Sequence, residues 1–74
     1  MKTSEAVREV MKLQDVGTNK LADRLSKTPR LVSERLGQDN ISVTKLREML
    51  VALDYKIVIV PRDAKLPENS FEIE

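Results

Sequence analysis

Apolar residues in this 74-residue chain recur at helical spacing in four blocks, after which the rhythm changes. In the first block Val7, Val10, Met11 and Gln14 fall on one stripe, which Ala6 and Leu13 widen; steps of three and four mark an amphipathic helix. Thr3 or Ser4 stands where a side-chain oxygen can accept from the free amides of the opening turn, and Glu5 places negative charge at the positive end of the helix dipole. Asp15-Val16-Gly17 is the expected stop, with Gly17 suited to a left-handed C-terminal conformation. A second helix, capped by Thr18 or Asn19, runs to about Leu25 with Leu21, Ala22 and Leu25 facing inward. Ser26-Lys27 makes the turn. Thr28 then caps a third helix, with Pro29 at its first position, where the missing N–H costs nothing. Leu31, Val32 and Leu36 are its apolar face, and Gly37 ends it. Ser42 caps a fourth helix, in which Val43, Leu46, Met49, Leu50 and Leu53 repeat.

Tyr55 to Val60, YKIVIV, is β-branched at four of six positions and bounded by Pro61, so it predicts a strand. An isolated strand edge is a liability, and two partners are available. One is the same strand in a second subunit, which the pattern favours because a small monomer struggles to cover both Ile57/Ile59 and Val58/Val60; the other is Ser70-Phe71-Glu72-Ile73. The chain thus divides into residues 1–60 and a polar acidic tail, 61–74.

Charge changes the picture more than composition does. The net +1 conceals a local excess between Thr18 and Leu36: Lys20, Arg24, Lys27, Arg30 and Arg35 stand against only Asp23 and Glu34, a balance of +3. Residues 1–17 and 37–60 each balance, and the tail is negative. A helix pair that carries the charge excess suits a polyanionic partner. With one Tyr and one Phe there is no platform on which single-stranded bases would stack. No Cys and no His are present, which leaves out disulfides, thiolate or imidazole zinc ligands and the usual base and nucleophile of enzymes. Gly17 and Gly37 stand alone, so there is no phosphate-cradling loop. No cofactor, metal site or small-molecule effector is expected, and no enzyme. The opening MKTSEAVREV lacks the apolar run of a signal peptide, and the expected location is cytoplasmic.

Leu21-Ala22, Leu25, Thr28, Val32, Ser33 and Leu36, set within LADRLSKTPRLVSERL, resemble the helix-turn-helix of Cro and phage-repressor regulators, the XRE-like family of bacterial and phage proteins. SVTKLREMLVALDYKIVI is similar to the closing helix and to the strand some members use to dimerise. The likeness spans about residues 4 to 60. It implies an all-α fold, a lambda-repressor-like bundle of four to five helices with a helix-turn-helix, plus one short C-terminal β-strand. It also implies a small transcriptional repressor that binds double-stranded DNA sequence-specifically as a homodimer on a palindromic operator, in the bacterial nucleoid or a phage-infected host. Carried onto this chain, Thr28, Pro29, Arg30, Ser33 and Glu34 would face bases, and Thr18, Asn19, Lys20, Lys27 and Arg35 would meet phosphates. Tyr55, Ile57, Val58 and Ile59 would form the dimer interface.

The chain departs from the pattern at three places. Ser26 stands where many members have glycine in the turn, and Thr18 where glutamine is frequent. Arg35 stands three residues after Val32, where many have an apolar residue, with Leu36 next to it to take over the packing. The contrasting expectation is a protein-interaction module, such as an antitoxin, that binds a protein partner through helix four and the strand.

Overall fold

Left-handed residues close three of the four helices, and none of them is glycine. In a computed structural model describing residues 1–74, α1 spans Thr3–Gln14, α2 Thr18–Leu25, α3 Pro29–Leu36 and α4 Val43–Ala52. Asp15 (φ 54°, ψ 45°) ends α1, Ser26 (φ 56°, ψ 40°) ends α2, and Asp54 (φ 61°) follows α4. Behind each, an amide reaches back five residues: Val16 to Met11 at 2.9 Å, Lys27 to Ala22 at 2.9 Å, Tyr55 to Leu50 at 2.8 Å. This reverse bond satisfies carbonyls that the helix end would otherwise leave open.

The helix stops within the expected Asp15-Val16-Gly17 segment, but the left-handed residue is Asp15 and not Gly17. Val16 is 5% exposed, and drawing it into the core places the reversal at Asp15. Gly17, at φ −85°, becomes the residue before α2 rather than a left-handed cap, so neither Thr18 nor Asn19 caps that helix. Thr3 does not cap α1 either. Its hydroxyl donates to the Asp39 carbonyl at 3.1 Å and accepts from the Ile41 amide at 2.8 Å, pinning the α3–α4 loop to the start of α1. Glu5 accepts from the Lys2 amide, satisfying one orphan donor of the first turn.

The caps of the other two helices follow the local chemistry of the chain. The Thr28 hydroxyl accepts from the Leu31 amide at 3.2 Å, with Pro29 first in α3. The Ser42 hydroxyl accepts from the Lys45 amide at 3.4 Å.

α1 and α2 each pack against both α3 and α4, whereas α3 and α4 do not approach each other closely. The shared core is Val7, Val10 and Met11 of α1, Leu21 and Ala22 of α2, Val32 and Leu36 of α3, and Leu46, Met49 and Leu50 of α4, closed by Val16, Ile41 and Leu53 from the connections. Leu21, Ala22, Val32, Met49 and Leu53 have no accessible surface. Two expected core positions lie outside it: Leu13 is 54% and Val43 70% exposed. Three side chains brace the helices end to side. Arg8 donates to the Leu36 carbonyl at 3.1 Å, Gln14 to Leu53 at 2.6 Å and Arg24 to Ala52 at 3.2 Å. Each takes a carbonyl at a helix C-terminus, where donors are most needed.

The fold is all-α with four helices, and the expected C-terminal strand does not form. Lys56 to Val60 makes no backbone–backbone hydrogen bond, and Ser70 to Ile73 does not pair with it. The end of the tail goes to Met1 instead: the Met1 amine donates to the Glu72 carbonyl at 3.2 Å, and the Glu74 amide to the Met1 carbonyl at 3.0 Å. Tyr55 and Phe71 lie half-buried against the core, and the Tyr55 hydroxyl donates to the Asn69 carbonyl at 3.0 Å. Between these anchors the tail arches over a cavity of about 850 Å³ bordered by Ala6, Val10 and Leu50. No helix is long and apolar enough to cross a membrane.

Ser26 holds a conformation in which a Cβ costs roughly 1–2 kcal/mol, against an entropic cost for glycine of roughly 0.5–1 kcal/mol. Ser26→Gly is therefore expected to raise the unfolding free energy by about 0.5–1 kcal/mol, read from urea midpoints at constant slope.

Candidate nucleic-acid interface

α3 has only two turns, and its two faces are sharply divided. Val32, Arg35 and Leu36 are buried and Leu31 is half-buried, while Pro29, Arg30, Ser33, Glu34 and Gly37 are exposed. With 3.6 residues per turn, Arg30, Ser33, Glu34 and Gly37 fall within an arc of about 100°. Every residue expected to face bases therefore lies at the start of α3 or on this solvent side, including Thr28, whose exposed hydroxyl also serves as the cap.

Arg30 and Glu34 meet one turn apart, with Nε 3.2 Å from Oε1. The side chains are 89% and 60% exposed. An exposed pair at this spacing contributes only about 0.3–0.5 kcal/mol, and acid after base along the helix is the weaker orientation. The guanidinium is thus held away from the backbone by a contact that any stronger anionic or bidentate acceptor displaces.

Of the residues expected to meet phosphates, Asn19 and Lys20 are exposed in the first turn of α2, Thr18 is half-buried beside them, and Lys27 is exposed in the turn before α3. Arg35 requires a correction. Its side chain is only 10% exposed, and Nη1 donates to Glu48 Oε1 of α4 at 2.7 Å. It cannot reach a phosphate without leaving the core, since its position falls beside Val32 on the buried side of α3. Its Nε is buried with no partner. Arg24 is likewise turned onto the end of α4. The cations of this surface not engaged by another helix reduce to Lys20, Lys27 and Arg30, the last paired only with Glu34 on its own helix.

Glu48 was not singled out by the sequence pattern. The signal for it was indirect: an arginine in an apolar register calls for a carboxylate, but only packing shows which one. The hydrogen bond from Arg35 holds the Glu48 carboxyl below its ordinary range; partial burial opposes this, and the charges of Arg35 and Lys27 add to the lowering.

The expected dimer residues divide. Tyr55 is half-buried against the core of the chain, whereas Ile57, Val58 and Ile59 are 39%, 58% and 99% exposed. No group of three or more His, Cys, Asp or Glu stands together as a metal site. No family model, no curated protein and no solved structure matches this chain.

A carboxylate whose pKa is lowered by folding adds stability that is complete above its unfolded pKa and lost as pH falls through the folded value. The Arg35–Glu48 contribution should therefore be present at neutral pH and disappear in acid. In urea titrations the difference in stability between the native protein and Glu48→Gln is expected to be largest near pH 7 and to shrink toward pH 3. A difference that grew toward acid would contradict the assignment.

Proposed function

We propose that this chain is a sequence-specific double-stranded DNA-binding protein, a small transcriptional repressor acting as a homodimer. In this reading α2 and α3 form a helix-turn-helix of the Cro and phage-repressor kind. One observation carries it: α3 turns its apolar side, Val32 and Leu36, into the core, yet keeps a polar face containing Arg30, Ser33 and Glu34 that makes no contact with the other helices.

The major groove admits such a helix, N-terminal residues toward the base edges. Arg30, exposed and lightly held, is suited to donate two hydrogen bonds to guanine O6 and N7. Ser33 can donate or accept, and Glu34, once Arg30 turns to a base, can accept from cytosine N4. Thr18, Asn19, Lys20 and Lys27 would meet phosphates, which set register without reading sequence. The homodimer is supported by Ile57, Val58 and Ile59, which are exposed and have no backbone partner within the chain. An edge of this kind is a ready template for a second strand. Two recognition helices about one DNA turn apart, ~34 Å, would read a palindrome.

The same apolar segment supports a second reading, a protein-interaction module of the antitoxin kind. Val43 and Ile57 would be available to a partner, whereas Leu50 is buried and would not. Salt separates the two, because phosphate contacts release counterions and protein contacts through apolar side chains do not.

Selection from a random duplex library is expected to enrich a palindromic motif, with binding that weakens steeply as salt rises. Arg30→Ala should cost about 1–3 kcal/mol on that motif and relax discrimination at one position of each half-site. Folded protein that enriches no motif would falsify the specific-repressor reading. Light scattering should give twice the chain mass; a single-chain mass at the concentrations that bind DNA removes the dimer.

A further inference from the structure

α3 presents its exposed face correctly only if its rotation about its own axis is held. Its buried apolar residues, Val32 and Leu36, lie one turn apart along a single stripe with only the half-buried Leu31 beside them, and a two-turn helix held in this way can roll. A roll of ~20° carries a guanidinium ~8 Å from the axis through ~3 Å, more than hydrogen-bond geometry tolerates.

Two polar ties lie off that stripe. Arg8 of α1 donates to the Leu36 carbonyl at 3.1 Å and holds the C-terminal end. Arg35 projects on the other side of Val32 from Leu36, and Glu48 grips it at 2.7 Å. The second tie joins two helices whose backbones do not approach each other closely. The ion pair links α3 directly to a helix that it otherwise meets through the 37–42 connection and through α1 and α2. It is also a costly device, since it leaves Arg35 Nε buried and unpartnered, and a buried donor without an acceptor destabilises. A methionine or leucine at 35 would pack without that penalty.

Resting on the DNA-reading proposal, we infer that Glu48, through Arg35, is a positioning residue for sequence discrimination: it sets the rotation of α3, and with it the register of Arg30, Ser33 and Glu34, without touching DNA. Glu48 is itself half-exposed, so its truncation opens no buried cavity, but it strips Arg35 of its partner, and Arg35→Met is the variant that removes the tie without leaving a buried charge.

Three variants test this on the motif that the native protein selects. Arg35→Met fills the buried volume with apolar atoms and frees Glu48 to hydrate; such replacements are commonly neutral or stabilising. Glu48→Ala removes the grip, and Glu48→Gln keeps an acceptor at the same place. Arg35→Met and Glu48→Ala are expected to lower the ratio of motif to random-duplex affinity about tenfold, leaving random-duplex affinity and its salt slope unchanged, while Glu48→Gln stays within about threefold of native. Residual dipolar couplings of α3 amides should report a changed helix orientation in the first two variants only. A purely structural role would instead be rescued by Arg35→Met. Discrimination retained in Arg35→Met and Glu48→Ala, or motif and random affinity falling together, would overturn the inference. If the native protein selects no motif, the DNA reading itself fails, and that failure is distinguishable because it precedes any substitution.

Discussion

The packing of α2 against both α3 and α4, over Leu21 and Ala22 with no surface left to either, is the contact on which the other elements depend. Helices of eight to twelve residues do not persist alone in water. Each has to be completed by burial, worth roughly 1.5–3 kcal/mol for a large aliphatic side chain, and a chain of this length has few such side chains. α2 contributes two fully buried residues and places them between two helices that do not approach each other closely. The small Ala22 side chain lets the backbones come close. The connection from α2 to α3 is only Ser26-Lys27-Thr28, so the turn has to reverse at once and Ser26 takes the left-handed position.

A core built this way leaves the helix ends inside the molecule, and polar side chains from other helices close them. Arg8, Gln14 and Arg24 each cap a C-terminal carbonyl of α3 or of the end of α4. Charge that looks like a free basic surface along the chain is partly structural. Arg24 and Arg35 serve the fold, whereas Lys20, Lys27 and Arg30 remain open to a partner. This division concentrates the candidate interface on the start of α2, the turn, and one face of α3.

Local chemistry was the readable part. Thr28-Pro29 and Ser42 cap their helices through bonds to residues three positions away, so their role is visible from neighbours alone. The exposed face of α3 was also legible, since it is the complement of Val32 and Leu36 at helical period. The misread elements share one cause, dependence on a distant partner. Gly17 was a plausible stop until the burial of Val16 moved the reversal to Asp15. Tyr55 to Val60 has the side chains of a strand, but a strand exists only beside another, and the tail gives its hydrogen bonds to Met1 instead.

The sequence alone determined four helices, their order, two of their caps and which residues of α3 face outward, because each follows from spacings within a single helix. Tertiary structure decided how α3 is turned. Arg35 and Leu36 are adjacent, and either could have claimed the buried register after Val32. Both are inside, one packed and the other gripped by a carboxylate thirteen residues further on. No local pattern can choose that outcome, because the energy of burying an arginine depends on whether an acid on another helix stands within hydrogen-bond reach.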